Sequence, residues 1–260
     1  MKTSRHPVRR LTALLLTCGA TTLGSSVKAA NYEMKSYVQV GKTTRSAFAW
    51  CDAPDRILAV TLPSPALTGP GDVREVSLLR WLKNRPGTVG NFKYKIGLSE
   101  GAAGSTYIGL IPAGFKATRE LASQNFIHLS NVQRPPEYRM GRVVQFKTMQ
   151  GENPCRYVPN AAFMGATAKR TVIVWDEGDA ITYTTRNFDG TPGVYITSGK
   201  KTVGVEGGIT YEFNTEDGYT YRLQIGFLDP PPGAHLTVTK SGALKASERF
   251  LAYSVSIPTK

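Results

Sequence analysis

Gly208-Ile-Thr-Tyr-Glu-Phe-Asn-Thr-Glu-Asp-Gly-Tyr-Thr-Tyr-Arg-Leu-Gln-Ile-Gly226 is the stretch on which the fold class turns. Ile209, Tyr211 and Phe213 alternate with polar residues, and Tyr219, Tyr221, Leu223 and Ile225 do the same after Asn214-Thr215-Glu216-Asp217-Gly218. A period of two puts the apolar side chains on one face of an extended chain, and Asp217-Gly218 supplies residues that tolerate positive φ in a turn. The segment therefore predicts a β-hairpin.

Working outward, runs of the same kind fill the chain on both sides. Val194 to Thr197, Ile181 to Thr185 and Thr171 to Trp175 precede the hairpin, Leu236 to Thr239 and Phe250 to Ile257 follow it, and seven more lie between Tyr37 and Met149. Turn residues recur about every 8 to 12 positions, the spacing of sandwiches and small barrels. The expected class is mainly β, with two β-sandwich or small-barrel-like modules. One short helix is expected near 73–83: Asp72 could cap it, Glu75 stands three residues later, and Val73, Val76, Leu79 and Leu82 recur at helical spacing until Asn84-Arg85-Pro86-Gly87. A shorter helical turn is expected between Lys116 and Ser123.

Residues 1–29 read as a cleavable secretory signal. They combine a basic start (Lys2, Arg5, Arg9, Arg10), an apolar run from Leu11 to Leu23, and small residues near Ala29. Arg9-Arg10 leaves a twin-arginine signal open, and Leu15-Leu16-Thr17-Cys18 a lipoprotein site. The apolar run is too short and interrupted for a retained span, so no transmembrane segment is expected in the mature chain, which is placed in the periplasm or outside the cell. Losing the five basic residues of this segment takes the formal charge from +13 to +8.

That charge divides unevenly. Residues 30–164 carry 17 Lys/Arg against 9 Asp/Glu, whereas 165–260 carry 10 of each. The composition shift, with the Gly/Ala/Pro-rich passage 151–169, sets the expected division: a basic β-rich domain at 30–160 and a charge-balanced sandwich-like domain at 166–260. Without the signal, Cys51 and Cys155 are the remaining cysteines, and in an oxidising compartment they are expected to pair.

Gly97-Leu98-Ser99-Glu100-Gly101 has the spacing of a nucleophile elbow, and several Asp and then His235 follow, so a serine hydrolase using Ser99 and His235 is an alternative. A strand, not a helix, is expected after Ser99, which leaves a small-residue loop as the ordinary explanation. His128 and His235 lie near no second nitrogen or sulfur ligand at a recurring spacing, so no metal is expected. Asp176-Glu177-Gly178-Asp179 offers oxygens that calcium could use, although turns favour Asp for conformational reasons alone.

Two groups are candidate binding residues. Arg74, Arg80, Lys83, Arg85, Lys93 and Lys95 surround Trp81, a cation and aromatic mixture suited to an anionic glycan or a lipid headgroup. A second basic group comprises Arg134, Arg139, Arg142, Lys147 and Arg156. Tyr219 and Tyr221 share a strand face that could stack on sugars, or could simply be core. The functional expectation is an exported, non-enzymatic protein binding a glycan, a cell-envelope component or a protein partner, with no nucleic acid expected. The alternatives are a structural or assembly component of the envelope or of a secretion machine, and the hydrolase.

Overall fold

The computed structural model describes residues 31–130, 139–140, 142–204, 207–226 and 233–259. The expected signal at 1–29, Arg134 and most of the Asp229–Gly233 proline loop lie outside the described residues.

The chain runs β1 (Tyr32–Val40), β2 (Thr43–Asp52), β3 (Arg56–Thr61), β4 (Val73–Leu82), β5 (Val89–Ala102), β6 (Ser105–Pro112), α1 (Arg119–Gln124), β7 (Phe126–Ser130), β8 (Arg142–Thr148) and β9 (Gly151–Pro154). It continues through β10 (Phe163–Ala166), β11 (Arg170–Asp176), β12 (Ile181–Asn187), β13 (Tyr195–Ile196), β14 (Gly199–Val203), β15 (Ile209–Asn214), β16 (Tyr219–Ile225), β17 (Ala234–Lys240), β18 (Ala243–Arg249) and β19 (Ala252–Pro258). The protein is almost wholly β. The hairpin read from Gly208–Gly226 is β15 and β16, with Phe213 opposite Tyr221 and Tyr211 opposite Leu223.

All described strand pairs are antiparallel and form two sheets. The larger has the order β13-β12-β11-β10-β19-β1-β2-β3-β4-β5-β6-β7-β8-β9, and the smaller β14-β15-β16-β17-β18. From β2 onward the large sheet rolls until β8 meets β2. The Cys51–Cys155 disulfide and the Arg156 N–H to Asp52 carbonyl bond (3.0 Å) fasten that seam. The rolled part is barrel-like. The other end of the same sheet lies over the small sheet as a sandwich.

Alternation along each strand sorts the side chains into three apolar layers. Ala49, Leu58, Val60, Val76, Leu78, Ile96, Leu110, Ile127 and Phe146 fill the barrel interior. Val172, Val174, Tyr183, Tyr253 and Val255 meet Tyr211, Phe213, Tyr221, Leu223 and Leu236 inside the sandwich. Trp50, Ile57, Ala59, Leu79 and Trp81 on the barrel's outer wall meet Met164, Ala166, Ile173 and Ala252 in a third layer between the two. The central strands are therefore buried on both faces. Gly165 marks one of the close contacts inside the sandwich, since a Cβ there would lie 2.6 Å from Phe250 and 2.8 Å from Tyr253.

This double burial corrects one expectation. Residues 73–83 are not a helix; Val73–Leu82 is strand β4. Val76 and Leu78 point into the barrel while Leu79 and Trp81 point into the layer between modules, so the period-two signal is lost and a chance i, i+3 spacing of apolar residues remains. Asp72 is a loop bracket: its carboxylate accepts from the Thr68 amide (2.6 Å) and hydroxyl (2.5 Å), which hold it below the usual carboxylate range. The one helix among the described residues is α1, capped by the Thr118 hydroxyl on Leu121 N–H at 3.2 Å, and it overlaps the helical turn expected at 116–123.

Candidate binding cleft

A fork in the large sheet creates the cleft. β2 pairs with β1 only through Thr43–Ser46, and then, across a bulge at Phe48, pairs with β3 through Ala47–Asp52. The first half of β1 meanwhile stays with β19, from Tyr32 opposite Pro258 to Ser36 opposite Ser254. The two strands part, and a cavity of about 210 Å³ opens between them. A bulge bends its strand and redirects the following side chains, which is how Trp50 comes to face this space.

The fork's floor comes from β1, β10 and β19: Ser36, Met164 and Ser254. Trp50 Nε1 donates to Ser254 Oγ at 2.8 Å, and the Ser36 and Ser254 hydroxyls share a hydrogen bond at 2.7 Å. Leu129, Val143 and Val158 add apolar wall, and Arg142, Arg156 and Asp52 supply charge. Apart from Asp52, the two arginines and the serines, the lining is made of apolar and aromatic side chains, the usual makeup of a small-molecule site.

Asp52 anchors the charged side. Its side chain is fully buried and is held by Lys83 Nζ (2.5 Å), Arg156 Nε (3.3 Å) and the Thr171 hydroxyl (2.8 Å). Thr171 belongs to the sandwich and Lys83 and Arg156 to the barrel, so one carboxylate joins the modules. Burial lowers the pKa of Lys83, against the pull of Asp52, and its ammonium also sits 4.8 Å over the Phe188 ring. Lys83, Trp81, Phe188, Pro86 and Leu251 line a second cavity of about 190 Å³ along the same module boundary. Asp52 thus lines the first cavity and its partner Lys83 the second.

A third, open cleft surrounds Asp176. Its carboxylate accepts from Lys201 Nζ (2.7 Å) and the Tyr211 hydroxyl (3.0 Å), while the Arg139 guanidinium donates to its main-chain carbonyl. Burial pushes the Asp176 carboxyl up, but Lys201, the Gly178 amide and Tyr211 outweigh it and hold the pKa below its ordinary value. Among the described residues, no group of three His, Cys, Asp or Glu side chains is placed to hold a metal ion. Asp176, the first acid of the stretch considered for calcium, is already matched by cations.

The basic residues of the first group do not converge. Alternation places Arg74 and Arg80 with the inward-facing Val76 and Leu78, whereas Lys93 and Lys95 lie opposite Ser77 and Glu75 on the other face. Arg74 pairs with Asp72 at 3.4 Å, Arg80 rests 4.9 Å over Phe92, Lys95 donates to the Phe115 carbonyl at 2.9 Å, and Arg85 is exposed in the β4–β5 turn. Trp81 is buried between the modules. The face shared by Tyr219 and Tyr221 is the core face: Tyr221 is buried with its ring 5.4 Å from that of Tyr183, and Tyr219 is half-buried beneath Lys240.

Ser99 and His235 fall on different sheets. Ser99 lies within a bulge of β5, and His235 on β17 has Nε2 2.7 Å from the Ser247 hydroxyl. The glycine before Ser99 has its own cause. Gly97 has φ +146° and a Cβ there would lie 1.8 Å from the Asp72 carbonyl oxygen, so the close crossing of two backbones demands glycine. His128 stacks on Tyr107 at 4.4 Å, and burial, then the charge of Arg142, lowers its pKa.

Sequence reasoning missed Ser36, Phe48, Trp50, Met164 and Ser254 as neighbours. They lie up to 218 residues apart, and a strand pattern carries no sign of which strands will part. Arg142 and Arg156 were legible only as members of a basic group. The fold and cleft define an all-β protein of two packed modules with a mainly apolar pocket at their junction. Comparisons with protein-family models, curated proteins and solved structures find no match.

Proposed function

We propose that this is an exported, non-enzymatic binding protein whose ligand enters the fork between β1 and β2. The observation that carries the proposal is the fork itself: a formed, largely apolar cavity where two strands of one sheet separate, with Asp52, Arg142 and Arg156 in its lining. Recessed apolar sites with a few placed polar groups are where proteins take small ligands. The export part rests on the character of residues 1–29 and agrees with the Cys51–Cys155 bridge, a bond kept in oxidising compartments.

The test is calorimetric binding of octanol, a neutral probe small enough for the cavity of about 210 Å³. The wild-type chain is expected to bind one equivalent, and Val143→Trp, which fills the cavity from β8, to lose it with thermal stability unchanged. Equal binding by this variant and by Ser36→Trp, which fills the floor, would place the probe elsewhere and end the proposal.

A role as a structural or assembly component of the cell envelope is the second reading, and one observation favours it. β18 is an edge of the small sheet, and Leu244 on it is exposed, a strand open to pairing with another chain. Concentration-dependent self-association removed by Leu244→Lys is the result that reading requires.

A further inference from the structure

The charge balance and the satisfied floor of the fork specify its occupant. Trp50 Nε1, Ser36 Oγ and Ser254 Oγ are partnered with one another, so the interior requires no polar group from a ligand. Phe48, Leu129, Val143, Val158 and Met164 add apolar wall. The charged lining is the reverse. Asp52 is one carboxylate shared by Lys83 and Arg156. Arg142 adds a further guanidinium, exposed, 4.9 Å over the Tyr157 ring, with no carboxylate partner among the described residues. Stacking presents the planar fork of donors in one place, which suits a carboxylate or phosphate.

An apolar, internally satisfied pocket beneath a surplus of positive charge complements a molecule with a hydrocarbon body and one anionic end. Resting on the binding reading above, we infer that the ligand is a small amphipathic anion, its hydrocarbon part in the fork and its carboxylate or phosphate on Arg142. The cavity of about 210 Å³ falls below the roughly 300 Å³ at which drug-sized sites begin, which limits the body to a short chain or a single ring.

Calorimetric titration of the full chain at low salt, with each probe below its aggregation limit, tests this. Octanoate is expected to bind about tenfold or more tightly than octanol, because a hydrogen bond to a charged group is added. Octyltrimethylammonium should bind more weakly than octanol, and acetate should not bind. Arg142→Gln should abolish the preference for octanoate over octanol, with circular dichroism and an unaltered unfolding midpoint showing that the variant is folded. Octanoate no tighter than octanol in the wild type, acetate as tight as octanoate, or an unaltered octanoate preference in Arg142→Gln each overturns the inference and leaves the cleft reading standing on octanol binding. Co-sedimentation with phosphatidylglycerol vesicles in place of octanoate binding also overturns it, in favour of a membrane surface. Failure of every probe, octanol included, sinks the cleft reading itself.

Discussion

The barrel and the sandwich are built from the same antiparallel strands, yet they fill their interiors differently. Eight buried aromatic side chains occupy the sandwich core: Tyr37, Phe163, Tyr183, Tyr211, Phe213, Tyr221, Phe250 and Tyr253. The barrel core buries two, Tyr94 and Phe146, among Ala, Val, Leu and Ile. Two facing sheets stand about 10 Å apart and leave a slab that long side chains from both sides must span. A sheet rolled from β2 to β8 encloses a narrower space, which medium side chains fill. The barrel adds a covalent fastening at its seam, and the sandwich has none among the described residues. Interior shape selects side-chain size, and closure is secured where a rolled sheet has an edge to hold.

The largest break in this comparison should come from the sandwich. Phe213→Ala removes a fully buried ring packed 4.8 Å from Tyr183, and urea denaturation should show a loss of about 3–5 kcal/mol. Next comes the barrel seam. Replacing both Cys51 and Cys155 by alanine opens a loop with a sequence separation of 104 residues, with an expected loss of about 2–4 kcal/mol. Hydrogen exchange should then rise first in β2, β8 and β9. Unchanged exchange there would show that packing alone closes the barrel.

Gly165→Ala should cost about 1–3 kcal/mol in thermal unfolding, because the added methyl meets the Phe250 and Phe163 rings and the Tyr253 Cβ. Gly114→Ala, at a position open to solvent, is the matched control and should be nearly silent. The smallest effect is the pH response of Asp176. Its pKa is lower in the folded protein than in the unfolded chain, so its contribution is complete above the unfolded carboxylate value and disappears as pH falls through the folded one. Denaturation midpoints should fall on acidification below about pH 4 and do so less steeply in Asp176→Asn. Identical slopes would mean that other carboxylates govern acid stability.

The two modules were also unequally legible. β15 and β16 could be read from alternation because one face of their sheet meets solvent: Arg222 and Gln224 are exposed between buried Tyr221, Leu223 and Ile225. β4 could not, because Leu78 and Leu79 are buried on opposite faces. The Cys51–Cys155 pair followed from counting once the leading cysteine was set aside. The fork did not follow from any local pattern. It depends on β1 staying with β19 while β2 turns to β3, a choice between long-range partners that residues 32–52 alone do not encode.

Pairing of β1 with β19 also has a consequence in time. Ser36 and Ser254, which touch across this pair, are 218 positions apart in the chain. β1 is synthesised well before its second neighbour, β19. Until β19 arrives, the edge of β1 stands open beside a barrel whose own strands are already complete, and contacts of such long separation form slowly. The barrel strands β2 to β9 can pair before β19 is made; the sandwich and the floor of the fork must wait for β19. A chain released just short of β19 would carry a finished barrel with half a pocket, and β1 as an adhesive edge.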